Sequence, residues 1–193
     1  NSNYNVIEKN SLYSNTDSGI SFYNKNKLNI INWNTAKFNG LDGISLSFFC
    51  ENNTLKNNNA SQNAADGISI SYLSDNSTVW SNRLYKNENH GFYTRECTGM
   101  SMRFNTFDYN NRSGSHMTFG GNNTMDTNYF YNNDLAGIKL FNSNYTTLTN
   151  NIFLQNGLSV WGDSVISWNT HSIDTTNKAE AKKHYMEAAD LVP

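Results

Sequence analysis

The chain has 193 residues, of which only 16% are charged, with a formal net charge of −2 and a sequence pI near 6.1. That balance offers no basic stripe for a nucleic-acid backbone, and no apolar run reaches the roughly 20 residues that a membrane-spanning helix needs. A mean hydropathy of −0.67 with 36 asparagines would suit a disordered polar tract, unless the apolar residues are periodic.

They are periodic. From the N-terminus, Ile7 precedes Asn10, Leu12 follows it, Asn15 comes five residues after Asn10, and Gly19 opens the alternating run Ile20-Ser21-Phe22. The phrase returns with first asparagines at Asn34, Asn58, Asn82, Asn105, Asn128 and Asn151, and second asparagines at Asn39, Asn63, Asn87, Asn110, Asn133 and Asn156. Steps of 24 and then 23 residues separate the copies. The apolar column three residues before each first Asn continues as Ile31, Leu55, Val79, Met102, Met125 and Leu148. The column two residues after it reads Ala36, Ala60, Leu84, Phe107, Phe130 and Phe153, and the glycines are Gly43, Gly67, Gly91, Gly114, Gly137 and an early Gly157. Five columns in register over seven copies mark a repeat protein.

After each Gly the chain alternates, as in Ile44, Leu46, Phe48 and Ile68, Ile70, Tyr72, which predicts a strand with one buried face. Two further short extended pieces per unit, separated by Asn, Gly, Ser and Asp, complete one turn of a solenoid. A crossover helix does not fit in so short a unit, which excludes a doubly wound α/β fold. The expected fold is all-β, a right-handed parallel β-helix of about seven to eight coils over residues 1–177. Equivalent residues then stack about 4.8 Å apart, and the asparagine columns become ladders of side-chain amides. Val165, Ile166 and Trp168-Asn169 repeat the apolar-then-Asn phrase and predict a partial eighth coil.

Cys50 and Cys97 fall near the same turn two coils apart, about 9.5 Å by the coil rise, whereas a disulfide needs less than about 7 Å. Free thiols are expected. Residues 178–193 leave the repeat for helix formers, with Tyr185, Met186, Ala189 and Leu191 on one face. That tail reads as a cap on the last coil or as partly a cloning remnant at Leu191-Val192-Pro193. Asn1 in place of Met suits an excised or mature fragment.

The Asn phrases followed by Gly-Ile-x-Leu resemble the right-handed parallel β-helix repeats of NosD-like and related carbohydrate-binding and sugar-hydrolase proteins. Such repeats occur in surface and secreted proteins of archaea and bacteria. The phrase from Ser167 to Asn177 looks like the close of such domains in archaeal surface-layer-associated proteins. The resemblance implies an extracellular or cell-surface location and a polysaccharide or surface glycan as partner. The leading expectation is a structural spacer or glycan-binding module, with lateral or end-to-end self-association through open strand edges.

The fold group also contains lyases, epimerases and glycosidases, so the outward columns matter. Two residues after each Gly stand Ser21, Ser45, Ser69, Tyr93, His116, Lys139 and Ser159, and two further on come Tyr23, Ser47, Ser71, Arg95, Thr118, Phe141 and Trp161. Tyr93, Arg95, His116 and Lys139 are the candidate catalytic set. Lys139 or His116 would take the C5 proton of a uronate, and Arg95 would neutralise the developing enolate. Tyr93, Phe141 and Trp161 are the candidate glycan platform. Asp42, Asp66 and His90, each just before a Gly, form a row that would suit Ca²⁺. The Asp-Pro-His phrase of alginate epimerases is absent from the sequence. The resemblance also raises copper, for which Met100, Met102, Met117, Met125 and His116 are soft candidates. Met102 and Met125 occupy the aliphatic column, and Met117 alternates inward with Phe119, so these methionines are expected to be core. Six Asn-x-Ser/Thr sequons, at Asn52, Asn59, Asn76, Asn111, Asn122 and Asn144, permit surface glycosylation.

Overall fold

A computed structural model describes residues 2–162 and the backbone of residues 165–169. The predicted helical tail, and most of the phrase after Ser167, lie outside the described residues. Three short strands form in each coil, and equivalent strands pair in parallel to make sheets of eight, seven and seven strands. The first sheet runs from Val6–Glu8 to Val165–Asn169, the second from Ser11–Tyr13 to Ile152–Leu154, and the third from Ile20–Tyr23 to Val160–Gly162. The fold is the expected right-handed parallel β-helix.

The registers reproduce the sequence columns. Ile7 pairs with Ile31, Ile31 with Leu55, Leu55 with Val79 and Val79 with Met102 in the first sheet. In the second, Leu84 pairs with Phe107, Phe107 with Phe130 and Phe130 with Phe153. The last three rings stack face to face at centroid separations of 4.6 and 5.0 Å. Met100, Met102, Met117 and Met125 are buried in this core, as expected.

Both asparagine columns are ladders, and they do more than join amide to amide. Asn87 Oδ1 accepts the backbone N–H of Asn63 at 3.1 Å and its Nδ2 at 3.0 Å. Asn87 Nδ2 donates to Ala60 O at 3.1 Å and to Asn110 Oδ1 at 3.1 Å. Each interior Asn thus satisfies an N–H and a C=O of the preceding coil while passing one bond forward. A third ladder, Asn5–Asn29–Asn53, continues through Ser77. Its later positions are not all Asn, which hid it among the other asparagines.

The left-handed turn residues extend beyond the Asn, Gly, Ser and Asp expected at the turns. The residue before each first Asn includes Lys9, Trp33, Ser81 and Phe104, all with φ between 52° and 57°. The residue before each second Asn includes Ser14, Phe38, Lys86 and Tyr109, with φ between 53° and 56°. The Gly column serves another purpose, because a Cβ at Gly91 would stand 2.6 Å from Gly114 O and 2.9 Å from Asn110 Nδ2. These glycines let adjacent coils close over the second ladder.

Several expected positions shift. Phe48, Tyr72 and Phe119 do not continue the buried alternation: each follows the end of a third-sheet strand and takes φ of 62°, 55° or 53°, which turns the ring outward. In the last full coil the third-sheet register pairs Ile138 with Val160 and Lys139 with Trp161, so Ser159, not Gly157, stands beside Gly137. Leu158 is accordingly exposed. In the partial eighth coil Trp168, rather than Ile166, pairs with Leu148 after a shift at Thr146/Thr147.

Cys50 and Cys97 are free and buried, with Ser74 between them: Cys50 N–H donates to Ser74 Oγ at 3.1 Å. Burial pushes the Cys97 thiol up to about 11. Alkylation without reductant should therefore label neither cysteine in the folded protein and both in denaturant; a mass shift of only one label after unfolding would contradict this. Asn87→Ala would strand the Asn63 N–H and the Ala60 carbonyl. At about 1–3 kcal/mol for each unsatisfied buried group, urea denaturation should show a loss of at least about 2 kcal/mol, and an exposed Asn such as Asn111 should lose almost nothing on the same change.

Candidate functional site

The outer face of the third sheet gathers the predicted residues by strand register. Phe92–Arg95 pairs with Ser113–Thr118, which pairs with Ala136–Phe141. Tyr93 therefore lies beside His116, His116 beside Lys139 and Lys139 beside Trp161. The Lys139 ammonium sits 4.8 Å from the Trp161 ring centroid, so Trp161 belongs to this column and not, as expected, to that of Phe141. Arg95 lies one column over. Its Nε donates to Glu96 at 3.1 Å, and its guanidinium is 5.5 Å from the Tyr72 ring and 6.0 Å from Phe119.

His90 joins this group from the row before the glycines. Its ring lies 4.7 Å from His116 and 6.0 Å from Tyr93, and Tyr93 lies 5.5 Å from His116. The hydrogen bonds assign the tautomers. Ser113 N–H donates to His90 Nδ1 at 3.1 Å, so the neutral ring carries its proton on Nε2. That proton points to His116 Nδ1 at 3.2 Å, leaving His116 protonated on Nε2. His116 Nε2 is buried and has no partner. In this arrangement Nδ1 of His116 accepts from His90 and Nε2 carries the proton. Burial, reinforced by Lys139 and Arg112, lowers His116 to about 4; burial, then His116 and Arg112, lowers His90 to about 3.

The row Asp42, Asp66, His90 is stacked as expected but works as a side-chain-to-backbone ladder. Asp42 Oδ1 accepts Asp66 N–H at 3.0 Å, and Asp66 Oδ1 accepts His90 N–H at 2.8 Å. Burial, then the Asp42 charge, raises Asp66 to about 7. Among the described residues no three His, Cys, Asp or Glu side chains are grouped to hold a metal ion.

An aromatic stripe along the edge of this face was missed in the sequence. Tyr23 meets Phe48 at 5.1 Å, Phe48 stacks on Tyr72 at 4.7 Å, Arg95 bridges Tyr72 to Phe119, and Phe119 meets Phe141 at 5.4 Å. Phe141, one of the three expected platform residues, is in this stripe; Tyr93 and Trp161 are in the neighbouring column. No signal in the sequence marked it, because Phe48, Tyr72 and Phe119 continue the two-residue alternation and so read as buried positions.

The family described as periplasmic copper-binding protein NosD matches residues 1–113 and 49–184. The chain belongs to the NosD family. No curated protein sequence matches it. Among solved structures it is similar to a double mutant of the periplasmic alginate epimerase AlgG, with a TM-score of 0.83 and 19% identity over 89% of this chain and 46% of that one. The Azotobacter vinelandii mannuronan C-5 epimerase AlgE4 A-module gives 0.69 and 12% over 88% and 58%, and a Streptomyces thermodiastaticus GH87 alpha-1,3-glucanase catalytic unit gives 0.57 and 12% over 90% and 44%. The NosD-family chain thus spans about half the length of these relatives and shares their fold.

The site makes opposing contributions to the pH dependence of stability. Asp66 binds its proton more tightly folded than unfolded, so its contribution is present below pH 3.8 and lost as pH rises through about 7. The histidines resist protonation when folded, so their contribution is present above pH 6.5 and lost as pH falls toward 3–4. Asp66→Asn should make stability climb more steeply between pH 4 and 7, and His90→Asn should flatten it. Unfolding curves that stay parallel to wild type across this window would contradict the assignment.

Proposed function

We propose that this NosD-family chain is a polysaccharide-binding β-helix module of the cell envelope that holds an acidic glycan along its third sheet. The carrying observation is the setting of its cations among aromatic rings: Lys139 over Trp161, and Arg95 between Tyr72 and Phe119. Rings offer stacking to a pyranose face, and cations beside them answer a carboxylate at the same repeat. The rigid coil spacing of about 4.8 Å presents these groups at regular intervals, with little ordering cost on binding. Two of the similar structures are epimerases of alginate or mannuronan, and the family description places its members in the periplasm, which supports an envelope setting.

A second reading, a uronate epimerase or lyase, is favoured by the packed His90–His116–Tyr93 group at the middle of the same face. In that chemistry Arg95 would stabilise the enolate and Lys139, paired beside His116, would be the base for C5. Copper, named in the family description, fits the donor set poorly. The thioethers of Met100, Met102, Met117 and Met125 are enclosed in the core, and His116 Nδ1 is engaged by His90.

Calorimetry with alginate oligomers tests the binding reading. Lys139→Ala and Arg95→Ala should each weaken binding about tenfold, equivalent to about 1.4 kcal/mol, and added salt should weaken it further. No binding, or binding indifferent to both changes, would overturn it. Unsaturated uronate detected by absorbance, or C5 inversion by NMR, abolished in Lys139→Ala, would establish the enzymatic reading instead.

A further inference from the structure

A concave surface lies along the turn that carries the second asparagine ladder, between the second-sheet and third-sheet strands. It is a groove of about 470 Å³ whose lining includes Phe38, Lys86 and Tyr109 in one column and Glu88, Asn111 and Asp134 in another. The first three are left-handed residues immediately before ladder asparagines, with φ of 56°, 53° and 56°, which projects their side chains outward. The second three immediately follow ladder asparagines. The ladder therefore fixes both columns at one residue per coil.

We infer that this groove is a binding site for a neutral oligosaccharide, separate from the acidic-glycan face. Its chemistry argues for a sugar. Tyr109 makes T-shaped contacts with Tyr85, at 5.8 Å and 84°, and with Tyr131, at 5.2 Å and 82°, which hold its ring in place before any ligand arrives. Asn111 Nδ2 is held by Glu88 Oε2 at 2.7 Å, and Lys86 lies 6.0 Å from the Tyr109 centroid. Side-chain amide, carboxylate and ammonium groups beside a fixed aromatic ring suit the hydroxyls and C–H face of a pyranose.

The same features disfavour other occupants. The main-chain N–H groups of Lys86, Glu88, Tyr109, Asn111 and Asp134 all donate to neighbouring coils, so an extended peptide finds no strand edge to extend. Glu88 and Asp134 outweigh Lys86 among the lining charges, so a polyuronate meets net repulsion where a neutral glycan does not. The two faces thus differ in sign: Arg95 and Lys139 against Glu96 on the third sheet, and two carboxylates against one ammonium here.

The test titrates the protein with cellohexaose, an N-acetylglucosamine hexamer, a hexauronate and a polar hexapeptide, read by calorimetry and by amide NMR shifts. A neutral hexamer should bind with shifts at Lys86, Glu88 and Asn111. Tyr109→Ala and Asn111→Ala, both on the protein surface layer, should each reduce that affinity at least about tenfold, whereas Lys139→Ala should leave it unchanged. Failure of both neutral hexamers to bind at millimolar concentration overturns the inference. So does binding that survives both groove substitutions, or shifts in the groove produced only by the hexauronate or the peptide. Because the Lys139→Ala arm reports on the third sheet alone, failure of either site is distinguishable from failure of the other.

Discussion

The structure depends on one repeated interaction, the asparagine side chain that serves the backbone of the coil before it. A parallel coil must turn sharply three times, and each turn leaves an N–H and a C=O inside with no water to bond. Asn supplies an acceptor and two donors on one short side chain, which matches that need. Asn87 shows the arrangement in full, accepting from Asn63 N–H and donating to Ala60 O. With these bonds in place, the preceding residue can hold a left-handed conformation that would otherwise cost a non-Gly residue roughly 1–2 kcal/mol. Large residues such as Trp33, Phe38 and Tyr109 stand there.

That constraint also builds the surfaces on which function is proposed. A left-handed residue points its side chain out of the turn, and one residue per coil does so in each column. At the end of the third sheet the column contains Phe48, Tyr72 and Phe119 and becomes an aromatic stripe. Before the second ladder it contains Phe38, Lys86 and Tyr109 and becomes part of the lining of a groove. The scaffold and the binding faces are consequences of the same backbone geometry, which leaves side-chain identity at these outward positions free to vary.

Much of the fold was legible because its determinants are local and repeated. The aliphatic columns, both main ladders, the free thiols and the inward methionines follow from residue spacing, since a parallel register simply superposes equal positions. The third ladder was illegible because Ser77 interrupts its asparagines, and the outward turn of Phe48 was illegible because period-two alternation carries no sign of where a strand stops. Trp161 was placed one column away from its neighbour Lys139 because the final turn is shortened, and a missing residue shifts every later side chain along the column.

The candidate site divides in the same way. Sequence alone determined that Tyr93, His116 and Lys139 are neighbours, because they hold one phase in successive copies. It could not determine that His90 reaches across to His116, or that Ser113 N–H fixes which imidazole nitrogen carries the proton; those are matters of side-chain direction between columns. The repeat specifies which backbone positions stack. Only the tertiary structure decides which rings, charges and protons meet across the stacks, because lateral contact depends on turn geometry that no single repeat encodes.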